Sequence, residues 1–404
     1  MQPTPRVTIL GLNYAPEPSG NAPYSTALAR FLASQGAHVT AITGHPHYPQ
    51  WERYAGYGGW RTVTADAGVR LVRLAHPVPR PPRGMRRLLS ELVFGARQAC
   101  TRWYRPTVAV MVSPALFATA WCHLRLLLYP RVRRVVWVQD LYSQGMAETG
   151  EGSGLAVRVA RAVESWVLRR AHVVVAIHPA MAERIAELGV ERARIEVVPN
   201  WGHVTPSTAS RDQARRTLGW TMDGFVVLHS GNMGRKQGLG NVVEAARLAA
   251  AQNVPVHFVL LGDGAERDAL ERAGAGIDRL HVLDPVAEQD FPVALRAANA
   301  LLVNELPGVR EMAVPSKLTS YVSAHRPVIA AGEPDGVVAQ ILAATGAGVS
   351  VASGNPQALL DAVCALADDP ERASRLADAG LEYWRTHLNQ VAALARWHVL
   401  VTGK

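Results

Sequence analysis

Short apolar runs alternate with helical stretches along this chain, and the alternation stops once and then starts again. Segments 7–12, 38–43, 108–112, 135–138, 173–177 and 195–198 have strand character, with helical patterns at 22–34, 155–170 and 181–188 between them. The pattern breaks at Pro199-Asn200-Trp201-Gly202-His203, and a stretch rich in Thr, Pro and Ser runs on to Ser210. Strands then recur at 225–229, 257–261, 280–283, 300–303, 328–331 and 348–351. A strand reaches a parallel neighbour only through a long crossover, so repeated strand–helix alternation specifies parallel sheets with helices on their faces. Two such series predict an α/β chain of two doubly wound, Rossmann-like domains facing each other across a cleft. The expected boundaries are 1–200 and 201–380, with a C-terminal helix at 381–404 packing back towards the first domain. At 404 residues the chain is long enough to give each domain its own core.

In doubly wound sheets ligands bind beyond the carboxyl ends of the strands, and four loops that follow strands here carry chemistry-bearing residues. The first runs from Asn13 to Ala22, where Gly20 just ahead of a helix start permits close backbone approach to an anion. The second, Ser230-Gly231-Asn232-Met233-Gly234-Arg235-Lys236-Gln237-Gly238, precedes a helix expected at 239–251. Its glycines, its two cations and the helix N-terminus make a phosphate cradle. Gly262-Asp263-Gly264 is a tight turn that serves structure equally well. Pro315-Ser316-Lys317 opens a helix expected at 318–324, with free backbone N–H groups and Lys317 pointing one way. None of these loops has the glycine order of a dinucleotide fingerprint or a P-loop, which argues against a nicotinamide cofactor and against NTP hydrolysis.

Lysine is nearly absent. The chain has three lysines against 39 arginines, and two of the three, Lys236 and Lys317, lie in those loops. A compact ammonium acts as a point charge where a planar guanidinium fork does not fit. The basic charge is also uneven: residues 1–200 carry 24 Arg and 12 acids, whereas the remainder carries 18 basic and 21 acidic groups. Such a half faces a polyanion, either nucleic acid or an anionic membrane leaflet. Arg83, Arg86, Arg87 and Arg97 surround Leu88, Leu89, Leu92 and Val93 on one helical stripe, and Arg125, Arg131, Arg133 and Arg134 flank 126–130. Basic residues framing apolar ones read as an interfacial membrane contact, with a solvated face over a core stripe as the alternative. Nucleic acid would call for aromatics interleaved with cations on a known module, a pattern missing from the sequence. The apolar run 107–124, interrupted by Ser113-Pro114, reads as a strand and a helix rather than a membrane span. Three widely spaced cysteines and a start without a signal-peptide pattern suit the cytoplasm.

Six segments in order carry a family resemblance: Asn13-Tyr14-Ala15-Pro16-Glu17; His47-Tyr48-Pro49-Gln50-Trp51; Trp137-Val138-Gln139-Asp140-Leu141; Val198-Pro199-Asn200-Trp201; Ser230-Gly231-Asn232-Met233-Gly234 with Lys236-Gln237-Gly238-Leu239; and Val314-Pro315-Ser316-Lys317-Leu318 with Arg326-Pro327-Val328-Ile329-Ala330. The chain resembles a retaining glycosyltransferase of GT-B fold (family four), in the bacterial colanic-acid and O-antigen branch of fucosyl- and N-acetylfucosaminyl-type transferases. The resemblance implies that the second domain holds a nucleotide-diphosphate sugar, with uridine favoured over guanosine. Arg235, Lys236 and Lys317 would meet its diphosphate, helped by helix N-termini at Leu239 and Leu318. Gly231, Asn232, Pro315 and Ser316 would be further donor contacts, and Gly20 would close over the phosphates from the first domain. The base would lie near the backbone of 282–286, Val286 included. Arg235 and Lys236 stabilise the leaving diphosphate in this reading, and Asp140 orients or stabilises charge beside the reacting sugar, unless it is a helix N-cap.

The implied acceptor is a lipid-linked oligosaccharide of surface polysaccharide assembly, reached at the cytoplasmic face of the membrane. The anionic membrane surface is an expected partner and nucleic acid is not. No cofactor or metal is expected, because the chain has no Asp-x-Asp motif and cationic side chains take the metal's place. Two departures mark the site. Where relatives carry two glutamates eight residues apart, this chain has Met312 and Ser320, leaving Glu311 or Glu305 as substitutes; after Pro199-Asn200-Trp201 it has Gly202-His203 in place of an acid. His45 and His47 read as acceptor-facing contacts rather than metal ligands. The rival readings are a sugar-nucleotide epimerase of the same fold, which needs no lipid acceptor, and a nucleic-acid-binding protein, which leaves Lys236 and Lys317 unexplained.

Overall fold

The computed structural model describes residues 4–18, 20–80, 84–149, 154–202, 205–309 and 316–403. The chain divides into two units, residues 1–200 with 391–404 and residues 201–390. The first unit contains β1 (Arg6–Leu10), α1 (Ala22–Ser34), β2 (His38–Gly44), β3 (Arg61–Asp66), β4 (Val69–Leu74), α2 (Gly84–Cys100), β5 (Val108–Val112), α3 (Leu116–Leu126) and β6 (Arg133–Val138). It continues with α4 (Tyr142–Thr149), α5 (Gly154–Arg169), β7 (Val173–Ala176), α6 (Pro179–Glu187) and β8 (Ile195–Val197). The strand order is β3-β4-β2-β1-β5-β6-β7-β8, parallel except for the β3–β4 pair. β5 is buried along its whole length, as a parallel strand covered on both faces must be. The apolar run 107–124 accordingly divides into β5 and α3. Among the described residues no helix is long and apolar enough to cross a membrane.

The β3–β4 hairpin is absent from the strands expected by sequence. β3 is a largely exposed edge strand of mixed polarity, so it leaves no apolar run to detect; its turn, Ala67-Gly68, has φ of 47° and 83°.

The second unit contains α7 (Arg211–Leu218), β9 (Phe225–Ser230), α8 (Gly240–Ala251), β10 (Val256–Leu261), α9 (Arg267–Gly274), β11 (Leu280–Leu283) and α10 (Phe291–Ala297). Then follow β12 (Ala300–Asn304), α11 (Ser316–Ser323), β13 (Val328–Gly332), α12 (Val337–Thr345), β14 (Gly348–Ala352), α13 (Pro356–Asp368) and α14 (Pro370–His387). Its sheet is parallel in the order β11-β10-β9-β12-β13-β14, so the winding direction reverses between β9 and β12. In the first unit the same reversal falls between β1 and β5. α7 starts at a reciprocal cap, Ser210 Oγ accepting from the Gln213 N–H and Gln213 Oε1 from the Ser210 N–H. It stops at Gly219, whose φ of 66° an L side chain rarely adopts.

The segment expected as one helix at 381–404 is two. α14 runs to His387, and α15 (Gln390–Thr402) follows, because Leu388-Asn389 interrupts the helix between them. All but the first residue of α15 belongs to the first unit, where Trp397 is fully buried with its ring centroid 4.5 Å from that of Trp137 on β6. Trp397→Ala removes one of the largest buried side chains, and we expect it to destabilise the first unit by about 3–5 kcal/mol. The measurement is the urea midpoint followed by circular dichroism; an unchanged midpoint would show that α15 is not part of that core.

Candidate functional site

In the second unit, β9 is apolar through Leu228 and then turns polar at His229-Ser230 while remaining buried. His229 Nδ1 lies 3.2 Å from the Leu302 carbonyl and Nε2 lies 2.9 Å from Lys317 Nζ. A carbonyl can only accept, so Nδ1 carries the proton and Nε2 offers its lone pair to the ammonium. Burial, and then the Lys317 charge, hold the imidazole well below its ordinary range and therefore neutral. Lys317 lies in the first turn of α11. One helical turn further, the Tyr321 hydroxyl accepts from the Ser230 N–H at 2.8 Å and contacts Ser230 Oγ at 3.1 Å. Two contacts one turn apart thus fix α11 to the end of β9. Sequence reasoning missed His229; its signal was a histidine at a buried position of an otherwise apolar strand.

The loop after β9 lies against the turn after β10. The Gly231 N–H donates to the Leu261 carbonyl and the Met233 N–H to the Asp263 carbonyl, both at 2.8 Å. A Cβ on Gly262 would stand 2.0 Å from Gly231 O, and one on Gly264 would stand 2.5 Å from Met233 O. Gly262-Asp263-Gly264 is therefore a packing turn beneath the loop. A Cβ on Gly231 would meet Lys317 Cε at 3.5 Å, so the lysine stem runs past it. Arg235 and Lys236 occupy a 3-10 turn, not the opening turn of α8, which starts one residue later than expected with Leu239 as N-cap. Both side chains are exposed, and neither has an ion-pair partner among the described residues. The turn is held from β12: Asn304 Nδ2 donates to the Gln237 carbonyl at 2.8 Å and the Leu306 N–H donates to the Lys236 carbonyl at 2.8 Å.

Gly231, Asn232, Arg235, Lys236 and Lys317 thus share the carboxyl edge at the β9/β12 reversal. Val286 follows β11, half-buried against the core on that face of the sheet. Ser316 is the first residue of α11, whereas Glu311, Met312 and Pro315 lie outside the described residues. Glu305 follows β12 and is buried, its N–H donating to the Ala331 carbonyl at 2.9 Å. Gly332 leaves room for its carboxylate, since a Cβ there would stand 2.7 Å from Glu305 Oε2. Ser320 is buried on α11.

In the first unit the β1/β5 reversal opens a cavity of about 210 Å³, lined among others by Asn13, Asn21, His47, Tyr48, Arg87 and Glu91. Glu17 ties its wall together by accepting from Asn13 Nδ2 at 2.8 Å, the His47 N–H at 2.7 Å and the Tyr48 N–H at 2.9 Å. Gly20 lines the cavity with φ of 65°, and a Cβ there would crowd the Tyr48 ring at 3.2 Å. His45 turns to the Gly59 carbonyl, 3.0 Å away. Burial pushes the Glu91 carboxyl up to about 7 against the opposing pull of Arg87. Asp140 is exposed at the end of β6. The N-terminus of α4 next to it is capped by Glu164 of α5, which accepts from the Tyr142 N–H at 2.7 Å and the Ser143 hydroxyl at 2.5 Å.

α2 buries polar residues beside Phe94 and Gly95 and exposes several apolar ones. Ser90, Glu91 and Gln98 are buried, whereas Met85, Leu89 and Leu92 are exposed. Arg97 and Arg125, expected on the basic surface, point inward: Arg97 donates to the Trp60 and Ala75 carbonyls, Arg125 to those of Ala99 and Thr101. Arg83 lies outside the described residues.

Residues 19–201 match the family described as Glycosyl transferase 4-like domain, and residues 224–369 match Glycosyl transferases group 1. WcaI of Escherichia coli (strain K12), a glycosyl transferase named for colanic acid biosynthesis, is 30% identical over 335 residues, which cover 79% of this chain and 81% of WcaI. The chain belongs to the glycosyl transferase group 1 family. The glycosyltransferase is similar in structure to sucrose-phosphate synthase from Thermosynechococcus elongatus, with a TM-score of 0.73, 18% identity and 98% of each chain covered. It is also similar to Anabaena HepE in complex with UDP, with a TM-score of 0.70 and 14% identity over 98% of this chain and 100% of HepE. The GT-B fold expected from the sequence is the fold found, and the epimerase reading is not favoured.

In the unfolded glycosyltransferase His229 protonates near 6.5, and in the folded protein it does so well below that. The unfolded state therefore binds the extra proton, and stability falls as pH drops below about 6.5, by up to ~1.4 kcal/mol per unit for this one group. His229→Gln removes that share, so its stability should decline less steeply than that of the parent between pH 6.5 and 5. Equal slopes in urea titrations would show that His229 is not held neutral.

Proposed function

We propose that this glycosyltransferase moves a sugar, with retention, from a nucleoside-diphosphate sugar to a lipid-linked oligosaccharide during surface polysaccharide assembly. The observation that carries the reading is the set of cations at the β9/β12 edge: Arg235 and Lys236 exposed on a glycine-bearing loop, and Lys317 held by a neutral imidazole. His229 positions the ammonium without adding a charge of its own. Charge builds on the diphosphate as the anomeric bond breaks, and each preorganised donor aimed at it is worth roughly 10²–10³ in rate. Gly231 lets the loop pass close to the Lys317 stem, Asn232 and the opening of α11 supply backbone N–H groups, the backbone at 282–286 receives the base, and Glu305 takes the sugar-facing role left open by Met312. Asp140 orients the reacting sugar or stabilises its charge. The UDP complex of HepE supports uridine as the base, and the name of WcaI supports the polysaccharide setting.

The lipid acceptor is supported by the exposed apolar residues on neighbouring helices of the first unit. Met85, Leu89 and Leu92 on α2 and Trp121 and Leu124 on α3 are exposed, with Leu128 just beyond α3 and Arg86 beside them. Exposed apolar side chains with a basic neighbour suit the interface of an anionic leaflet, so the reading places the enzyme peripherally at the cytoplasmic face of the membrane.

Thermal melts with UDP and GDP, each with and without EDTA, test the donor. UDP at 100 times its dissociation constant stabilises by about 2.7 kcal/mol, which raises the midpoint by about 5–10 °C. We expect that shift with UDP, unchanged by EDTA and largely lost in Lys236→Ala; no shift with either nucleotide would defeat the reading. Flotation with liposomes tests the membrane contact. Vesicles containing anionic lipid should carry the enzyme up and neutral ones should not, and Leu89→Asp should weaken flotation; equal behaviour with both vesicle types would remove the membrane from the proposal.

A further inference from the structure

At the amino-terminal end of the second sheet, away from the β9/β12 edge, two arginines line a pocket of about 280 Å³. Its lining includes Arg211, Asn299, His325, Arg326 and Ser374. Arg215 and Arg296 stand behind Arg326 and are committed to the fold. Arg215 donates to the Ala297 carbonyl at 3.0 Å and to Asn299 Oδ1 at 2.7 Å, and Arg296 donates to the carbonyls of Ala209 at 3.2 Å and Ala324 at 3.1 Å. Arg326 donates to the carbonyls of His325 at 3.0 Å and Arg296 at 2.9 Å, which leaves its buried Nε without a partner. These carbonyls close the ends of α10 and α11. They satisfy hydrogen bonds but carry only partial charge against whole guanidinium charges.

The compensating carboxylates are sparse. Asp212 lies 3.6 Å from Arg211 and is itself well exposed, Asp223 acts on Arg215 from the surface, and Asp378 is engaged by His325 at 2.7 Å. Burial first, and then Arg296, Arg211 and Arg215, push the Arg326 guanidinium down to about 10. The pocket also receives the opening turn of α14, through Pro370, Ala373 and Ser374, and the first residue of α7. Both helix N-termini lie there, that of α14 behind the capping carboxylate of Asp369, which accepts from the Arg372 N–H at 2.8 Å. Among the described residues no carboxylate lines the pocket itself, so an anion in it would meet Arg211 and Arg326 directly.

We propose that this pocket binds a small phosphate-type dianion, either inorganic phosphate or the phosphoryl group of a small phosphate ester, contacted by Arg211, Arg326, Asn299 and Ser374. The site is distinct from the phosphate-gripping loop of the same unit, which stands at the opposite ends of β9 and β12, and it depends on no part of the donor reading. Its occupant would stabilise the junction of α7, α14 and the strand starts at Phe225 and Val328.

The test is a thermal melt of the full chain titrated with inorganic phosphate and, separately, with glycerol 3-phosphate, each against sodium chloride at equal ionic strength. A saturating rise of about 3–5 °C at ten times the dissociation constant is expected. Whichever probe saturates at the lower concentration identifies the source. Arg211→Gln, at an exposed position, should abolish the rise while Lys236→Ala keeps it. Ser374→Glu, which supplies a carboxylate of its own, should melt higher than the parent without phosphate and respond to neither probe. A rise retained in Arg211→Gln, a rise lost instead in Lys236→Ala, or no rise with either probe overturns the proposal.

Discussion

Parallel pairing in both sheets aims the strands of each winding at one edge, and the placement of every candidate group in the second unit depends on it. Because β9 runs parallel to both β10 and β12, the ends of all three deliver loops to the same side. Crowding follows directly. The loop after β9 packs so closely on the turn after β10 that Gly262 and Gly264 leave no room for a Cβ. The sheet thereby sets both where these loops meet and which of their residues must be glycine.

Within that frame the electrostatics are arranged by pairing cations with neutral acceptors. Lys317 rests on a buried imidazole that a carbonyl keeps in one tautomer, and Asn304 carries the backbone of the turn that bears Arg235 and Lys236. A neutral acceptor orients a cation without adding a charge of its own. The arginine pocket at the other pole shows the same device, with helix-end carbonyls in place of imidazole and amide.

Arginine does two jobs in this protein, and the formal charge counts them as one. Arg73, Arg97 and Arg125 in the first unit, and Arg215, Arg296 and Arg326 in the second, donate to backbone carbonyls. The five-donor fork suits that task, since one side chain can close several orphaned carbonyls. The excess of basic residues in the first half is thus partly a scaffold of backbone contacts.

Periodicity alone was enough to establish an α/β chain of two parallel-sheet units, because strand–helix alternation depends on local residue order and admits few topologies. It failed at β3, whose exposed edge has no apolar pattern, and at the chain end, where a two-residue break divides one expected helix into α14 and α15. The glycine-bearing loop after β9 and its placement near Lys317 were likewise legible, since the sequence puts both directly after or before strands whose ends share one edge. What holds Lys317 was not, because His229 lies 88 residues away in sequence and meets it only when α11 docks on β9. The inward turn of α2 was equally hidden: Leu89 and Glu91 look like core and surface by composition, and packing against α3 reverses them. Sequence order specifies what each segment can become, whereas contacts between distant segments exist only once the sheet has brought them together.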